Sequence, residues 1–233
     1  MPVAVITGAS KGFGRALAAA LAARRWKLIV NARGSDELEN ARAALAASTD
    51  VIAIPGDVAD AGHRAAVADA VRSAGGLDLL ANNASELGPS PLPQLREYAI
   101  DDLDAVFGVN VLAPLALVQL LLPTLEAREG TVVNVSSDAA VEAYPGWGGY
   151  GASKAALDQL TSVLAAEVPT IRAYAFDPGD MRTVMHQRAY PGEDISDRPP
   201  PESVVPALLR LLDERPASGR YRAADLLAAA LAG

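Results

Sequence analysis

Short apolar runs alternate with segments of helical pattern along most of the chain. Runs rich in Val, Ile and Leu predict strands, and the Ala- and Leu-rich segments between them predict amphipathic helices. This alternation is typical of an α/β protein with a parallel sheet, right-handed crossovers and helices on both faces. The predicted strands are 3–7, 27–32, 51–57, 77–84, 130–137 and 171–180, and the predicted helices are 14–25, 35–47, 59–75, 101–122 and 150–168.

The chain is predicted to form a single domain over residues 1–233, because it shows no repeat, low-complexity tract or linker that would divide it. One break in composition is the proline-rich segment 190–203. A loop of this length in a compact domain is often a functional lid, although a solvated connection fits the same pattern. We therefore expect a substrate loop within residues 184–203.

The composition excludes several kinds of site. The chain has no cysteine, which excludes disulfides, thiolate metal sites and cysteine nucleophiles. It has two histidines, His63 and His186, so a zinc site or a Ser-His-Asp triad would depend on one of them. His63 fits a helix surface, whereas His186 either contacts substrate or lies exposed. No metal site is predicted.

Charge and hydropathy bear on partners and location. The net charge of −8 argues against nucleic acid as a general partner. The apolar run 112–123 is shorter than the roughly 18–20 residues of a membrane span, so no membrane association is expected. The N-terminus shows no basic region ahead of an apolar one, as a signal peptide would. These observations predict a cytoplasmic protein.

A glycine-rich turn follows the first predicted strand. Gly8, Gly12 and Gly14 stand in the spacing G-x-x-x-G-x-G and lead into the first predicted helix. Glycine allows the backbone to approach a pyrophosphate closely, and a helix N-terminus offers free N–H groups and a positive dipole end. A turn of purely structural role would explain the glycines alone. In the strand–turn–helix context they predict a dinucleotide site.

A tyrosine and a lysine stand one helical turn apart at the start of helix 150–168. Tyr150 and Lys154 therefore share a helix face. A phenol with a pKa of about 10 is a poor base near neutrality, whereas a nearby ammonium favours the phenolate. An ordinary helix with one aromatic and one solvated cation would show the same spacing. The sharper interpretation is an acid/base pair for a proton transfer.

Together, these motifs resemble the short-chain dehydrogenase/reductase family, in the subgroup with T-G-x-x-x-G-x-G and Y-x-x-x-K. The resemblance covers roughly residues 1–185 and implies a Rossmann-type, doubly wound parallel sheet of about seven strands. Ser137, thirteen residues before Tyr150, matches the serine that donates a hydrogen bond to the substrate oxygen. Asn110 matches the fourth catalytic residue, which holds a water between Lys154 and solvent. The implied catalytic residues are Asn110, Ser137, Tyr150 and Lys154.

The resemblance also bears on the choice of nicotinamide cofactor. Ala32 occupies the position where NAD-preferring relatives carry an acidic residue, and Arg33 follows it. A guanidinium can bind a 2′-phosphate, and Lys11 adds a second cation, so NADP(H) is expected in preference to NAD(H). Asn31 is a further candidate polar contact. The implied cofactor-binding residues are Gly8, Ser10, Lys11, Gly12, Phe13, Gly14, Arg33, Asp57, Val58, Asn82, Ala84, Tyr150, Lys154, Pro178, Gly179 and Thr183.

Some residues depart from the family's pattern or lie beside it. Ser85 replaces the last glycine of the family's N-N-A-G, which is mild if the backbone φ there is negative. Asp138 places a carboxylate next to Ser137; it either faces solvent or favours a polar or cationic substrate. Candidates for the pocket wall are Glu142, Tyr144 and Trp147.

The sequence thus predicts an NADP(H)-dependent oxidoreductase that acts on a small-molecule carbonyl or secondary alcohol, with Tyr150 as acid/base. In this family, the equivalents of helices 101–122 and 150–168 pair subunits, so a homodimer or homotetramer is expected. One alternative is a catalytically silent sensor or scaffold that binds NADP(H). Another is an enzyme acting on nucleotide-sugars or a dehydratase, but those relatives carry G-x-x-G-x-x-G and a longer C-terminal domain.

Overall fold

A computed structural model describes residues 1–231, so the last two residues of the predicted domain lie outside the described residues. The chain forms one sheet of parallel strands with helices on both faces, which confirms the predicted fold class. The strands are β1 (Val3–Thr7), β2 (Lys27–Ala32), β3 (Val51–Pro55), β4 (Leu79–Asn82), β5 (Thr131–Val135), β6 (Arg172–Asp177) and β7 (Gly219–Arg222).

The seven described strands lie in the order β3-β2-β1-β4-β5-β6-β7. The order reverses beside β1, and ligands of such sheets bind at this reversal, outside the carboxyl ends of the strands. The helices are α1 (Gly12–Ala23), α2 (Ser35–Ala46), α3 (Ala61–Ala74), α4 (Ile100–Phe107), α5 (Ala113–Glu126), α6 (Gly148–Glu167), α7 (Val184–Ala189), α8 (Val205–Glu214) and α9 (Ala223–Leu231).

The core consists of two apolar layers, one on each face of the sheet. Successive side chains of a strand point to opposite faces, so Ile6 packs with Leu17 of α1 on one face. Val5 packs with Leu121 of α5 on the other face. Burial on both faces explains why the strands read as continuous apolar runs rather than as an alternation of polar and apolar residues.

The predicted helix 101–122 is longer and less regular than expected. α4 and α5 form one helical stretch, Ile100–Glu126, with a π-helical turn at Gly108–Leu112. Pro114 has no N–H to bond the carbonyl of Asn110, so a regular α-helix cannot continue through this turn. The turn brings Asn110 into the fully buried interior.

This helical stretch also corrects the expectation that the apolar segment is shorter than a membrane span. Its 27 residues are long and apolar enough to cross a membrane by length and composition alone, and 44% of its most apolar window is buried inside the fold. Core helices meet the same criterion.

Two further expectations need correction. Residues 184–203 are not entirely loop, because they begin with the short helix α7. His63 is not on the surface: it is 9% exposed at the start of α3, and its ring packs where a side chain on Gly56 would stand. Burial lowers the pKa of His63.

Candidate active site

A cavity of about 910 Å³ opens at the carboxyl ends of the strands and contains most of the predicted site residues. It runs from the glycine-rich turn after β1 to the first turn of α6. The predicted residues that line it are Gly8, Ser10, Lys11, Gly12, Phe13, Arg33, Asp57, Val58, Ala84, Ser137, Tyr150, Lys154, Pro178, Gly179 and Thr183. Gly14, Asn82 and Asn110 are not among the residues that line the cavity.

Two of the glycines in the glycine-rich turn and at the start of α1 allow close packing of neighbouring groups. Gly8 has φ +67°, and a Cβ there would lie 2.9 Å from Cα of Ala84. A Cβ on Gly14 would overlap the side-chain amide of Asn83 and would lie 2.6 Å from the carbonyl oxygen of Gly8. Glycine is therefore required at both positions, although only Gly8 borders the cavity.

Asn83 is a site residue that sequence reasoning missed. Its Nδ2 donates to the carbonyl oxygens of Thr7 (2.8 Å) and Gly8 (3.1 Å), so it ties the end of β4 to the glycine-rich turn. Asn82, which was predicted instead, donates from Nδ2 to Oδ1 of Asn134 at 2.8 Å, inside the sheet. The alternation of side chains along a strand could have distinguished the two asparagines, because neighbouring residues at a strand end face opposite sides of the sheet.

The far end of the cavity presents polar and cationic groups. Arg33 is 63% exposed and forms an ion pair with Glu86 at 3.2 Å. Lys11 is 58% exposed and forms an ion pair with Glu37 at 3.5 Å. Asn31 accepts from the Gly8 N–H through Oδ1 at 3.3 Å, and its buried Nδ2 has no hydrogen-bond partner among the described residues. An orphan buried donor beside a glycine-rich turn fits the ribose and phosphate oxygens of a dinucleotide.

At the other end, Tyr150 and Lys154 project from α6 into the cavity. Lys154 Nζ donates to the carbonyl of Val135 at 2.7 Å and lies 5.4 Å from the centre of the Tyr150 ring. Burial raises the pKa of Tyr150 to about 12, and the neighbouring hydroxyls of Ser85 and Ser137 act in the opposite direction. Burial lowers the pKa of Lys154 to about 8.

These directions correct the expected effect of lysine on tyrosine. In this structure, burial has the largest effect on the pKa of both groups, because each ionised form loses water when it is buried. Tyr150 is therefore protonated at neutral pH, which is the state that a proton donor needs.

Ser137 lies at the end of β5, and its hydroxyl is already engaged. Its Oγ donates to Oδ1 of Asp138 at 2.9 Å and accepts from the Ala139 N–H at 3.2 Å. The second carboxylate oxygen of Asp138 accepts from the Tyr144 hydroxyl at 3.0 Å. Asp138 thus lines the cavity and does not simply face solvent.

Asn110 positions the segment beside the cavity. Oδ1 accepts from the Ser85 hydroxyl (3.1 Å) and the Glu86 N–H (2.7 Å), and Nδ2 donates to the Glu86 carbonyl (2.8 Å) and Ser153 Oγ (2.9 Å). These four bonds use the full capacity of an amide. The side chain therefore has no group left for a water, whereas the backbone carbonyl lacks its α-helical donor at Pro114.

Ser85 is a second residue whose importance the sequence understated. The backbone at Ser85 avoids positive φ, so the replacement of glycine is mild there, as the sequence allowed. Its hydroxyl lies between Asn110 and the Tyr150 phenol.

Arg220 on β7 braces the segment that follows β5, and it lies outside the motifs that the sequence singled out. Its Nη2 donates to the Ser137 carbonyl (2.9 Å) and to Asp177 (2.9 Å), and its Nε donates to Asp158 (3.0 Å). The sequence carried no local signal for this contact, which joins residues 83 positions apart.

Aromatic rings form part of the cavity wall. Trp147 lies 5.6 Å from Tyr150 and 6.0 Å from Tyr190, measured between ring centres. His186 is buried, lines the cavity and packs on Tyr190 at 4.9 Å, so it is not simply exposed. Glu142, another candidate for this wall, is exposed outside the cavity.

A family model described as short chain dehydrogenase matches residues 2–194. The chain belongs to the short-chain dehydrogenase family. It is therefore an oxidoreductase of this family, and its sheet and helices match the family's architecture.

Individual proteins match this chain over most of their own length. Sepiapterin reductase of Mus musculus is 37% identical over 201 residues, which cover 80% of this chain and 77% of that protein. A solved short chain dehydrogenase from Pseudomonas syringae is 31% identical, with a TM-score of 0.89 over 95% of this chain and 93% of that one. An alcohol dehydrogenase from Thermococcus sibiricus, complexed with 5-hydroxy-NADP, is 27% identical, with a TM-score of 0.86 over 95% of both chains.

Proposed function

We propose that the protein is an NADP(H)-dependent oxidoreductase that interconverts a carbonyl compound and a secondary alcohol, with Tyr150 as the acid/base. The observation that carries the proposal is the position of the Tyr150 phenol, buried in the same cavity as Ser137, Lys154 and the glycine-rich turn. When bound, the nicotinamide supplies the hydride donor or acceptor.

The residues of this chain would handle the proton and the charge. Tyr150 gives its proton to the substrate oxygen in reduction and takes it back in oxidation. The hydroxyl of Ser137 stabilises negative charge on that oxygen. Lys154 would hold the nicotinamide ribose, and the orphan amide of Asn31 is available to the adenosine side of the cofactor.

The proposed preference for NADP(H) depends on Arg33, Lys11 and the absence of a carboxylate at Ala32. The NADP complex of the Thermococcus sibiricus relative supports this choice. A 2′-phosphate would compete with Glu86 for Arg33, and it carries more negative charge than one carboxylate.

The first experiment measures NADPH oxidation against a panel of ketones and aldehydes, with Tyr150→Phe beside the parent. Tyr98→Phe is the matched control, because Tyr98 is also buried and its hydroxyl has no hydrogen-bond partner among residues 1–231. We expect turnover in the parent and the control and a loss of at least about a hundredfold in Tyr150→Phe. Tight NADPH binding without turnover on any carbonyl would instead favour the silent sensor.

The cofactor choice has its own test. Arg33→Asp should lower the ratio of kcat/KM for NADPH over NADH by about tenfold or more, through loss of a charge-assisted contact and added repulsion. Arg96→Asp is the control, since Arg96 is 76% exposed and lies away from the cavity. An unchanged ratio in Arg33→Asp would show that this guanidinium does not select the cofactor.

We also propose that the protein forms a homodimer or homotetramer through the α4–α5 stretch and α6. Exposed apolar side chains support this: Leu112, Leu115 and Leu120 on the first and Val163 on the second. Light scattering coupled to gel filtration should give twice or four times the chain mass, and Leu120→Glu should lower it.

A further inference from the structure

The carboxylate of Asp138 lies beside the proposed catalytic serine and accepts only neutral donors. These are the Ser137 hydroxyl (2.9 Å), the Ala139 N–H (2.8 Å) and the Tyr144 hydroxyl (3.0 Å). Within the described part of the chain, no Lys, Arg or His nitrogen comes within 4.0 Å of it. Its charge is therefore available to a cation that enters the cavity.

Two cations on the cavity wall are engaged elsewhere. Lys154 donates to the Val135 carbonyl, and Arg188 pairs with Glu86 at 3.3 Å. The lining of the same cavity includes two aromatic rings, Trp147 and Tyr190, whose centres lie 6.0 Å apart. Aromatic faces attract an organic ammonium, and a carboxylate neutralises it.

The same carboxylate also restrains the serine. A hydroxyl has one hydrogen, and that of Ser137 is donated to Asp138. A neutral carbonyl is a weaker acceptor than a carboxylate, so a simple ketone competes poorly for this hydrogen. A substrate that brings its own charged donor to Asp138 would release the hydroxyl to turn towards the reacting oxygen.

We propose that Asp138 binds an ammonium group of the substrate, and that the enzyme acts on amino ketones or the corresponding amino alcohols. The nitrogen would lie one or two carbons from the reacting carbon, because Oδ1 of Asp138 and Oγ of Ser137 are only 2.9 Å apart. This inference depends on the proposed carbonyl chemistry of the same cavity and names its substrate class.

The kinetic test compares aminoacetone with butan-2-one, two ketones of equal heavy-atom count that differ in the ammonium. The wild type should prefer aminoacetone by at least about tenfold in kcat/KM. Asp138→Asn should abolish the preference and raise turnover of butan-2-one, because a neutral amide holds the Ser137 hydroxyl less strongly. Glu142→Gln, which removes an equal charge from an exposed side chain outside the cavity, should retain the preference.

A binding test separates this inference from the proposed reaction. 2-Methylallylammonium has the shape of aminoacetone but no carbonyl, and its binding to the wild type and to Asp138→Asn can be followed by ligand-detected NMR. Binding at least about tenfold weaker in the variant would support the ammonium site even if neither ketone is reduced, in which case the carbonyl reaction alone fails. Equal binding to both proteins, or equal turnover of both ketones by the wild type, would overturn the inference.

Discussion

Replacing Asn110 by alanine should destabilise the protein strongly, because this side chain is fully buried and makes four hydrogen bonds. Two of them satisfy the N–H and carbonyl of Glu86, and the others reach the hydroxyls of Ser85 and Ser153. Ser153 retains its bond to the Tyr150 carbonyl at 2.6 Å. The main loss therefore falls on the two backbone groups of Glu86.

The magnitude follows from those two groups. A buried backbone group left without a partner costs about 1–3 kcal/mol, and the two serine contacts add roughly 1 kcal/mol together. The better helix propensity of alanine returns up to about 0.7 kcal/mol. We expect a net loss of about 4 kcal/mol in the free energy of unfolding, equivalent to roughly 8–16 °C in Tm for a domain of this size.

Urea unfolding followed by circular dichroism would measure this loss. Asn40→Ala is the matched control, since Asn40 lies exposed on α2 and its replacement should change the free energy of unfolding by about 0.5 kcal/mol or less. A loss below about 1 kcal/mol in Asn110→Ala would show that the network around Glu86 does not hold this part of the fold.

Three further predictions concern charge and protonation. Burial lowers the pKa of Lys154 from 10.5 to about 8, so between these pH values the folded protein binds fewer protons at this residue than the unfolded chain does. The free energy of unfolding should therefore rise by roughly 3 kcal/mol between pH 8 and 10.5, and urea unfolding of Lys154→Met over this pH range should lack the rise. Arg220→Met should lower the free energy of unfolding by about 3 kcal/mol or more, since it leaves Asp158 and Asp177 without their cation, and a loss under about 1 kcal/mol would contradict this. Because burial raises the pKa of Tyr150 to about 12, kcat/KM for alcohol oxidation should rise about tenfold per pH unit from 7 to 9, and a plateau below pH 8 would show that another group, or a lower phenol pKa, governs the step.

The architecture could be predicted because its signals are local and repeated. Each strand is a short apolar run, and each helix between strands has a polar face, so the alternation in the sequence is the alternation in the fold. The glycine-rich turn and the Tyr150–Lys154 pair, which line one cavity, could be recognised in the sequence for the same reason. Each depends on residues close together in the chain.

The parts that escaped prediction depend on contacts between distant segments. Asn83, rather than Asn82, reaches the glycine-rich turn, and this follows from the direction of a side chain at a strand end. The burial of His63 depends on its packing against Gly56. The raised pKa of Tyr150 comes from burial by the whole fold, which a helical spacing of four residues does not reveal.

The brace from Arg220 to the Ser137 carbonyl has a consequence for the order in which the protein matures. The motif residues of the site have all been synthesised once Thr183 is made, yet the brace comes from a strand that follows by more than thirty residues. During synthesis at the ribosome, the site would thus have its chemical groups before it has its final geometry. β7 would complete the site, because Arg220 cannot contact the Ser137 carbonyl until this strand has been synthesised.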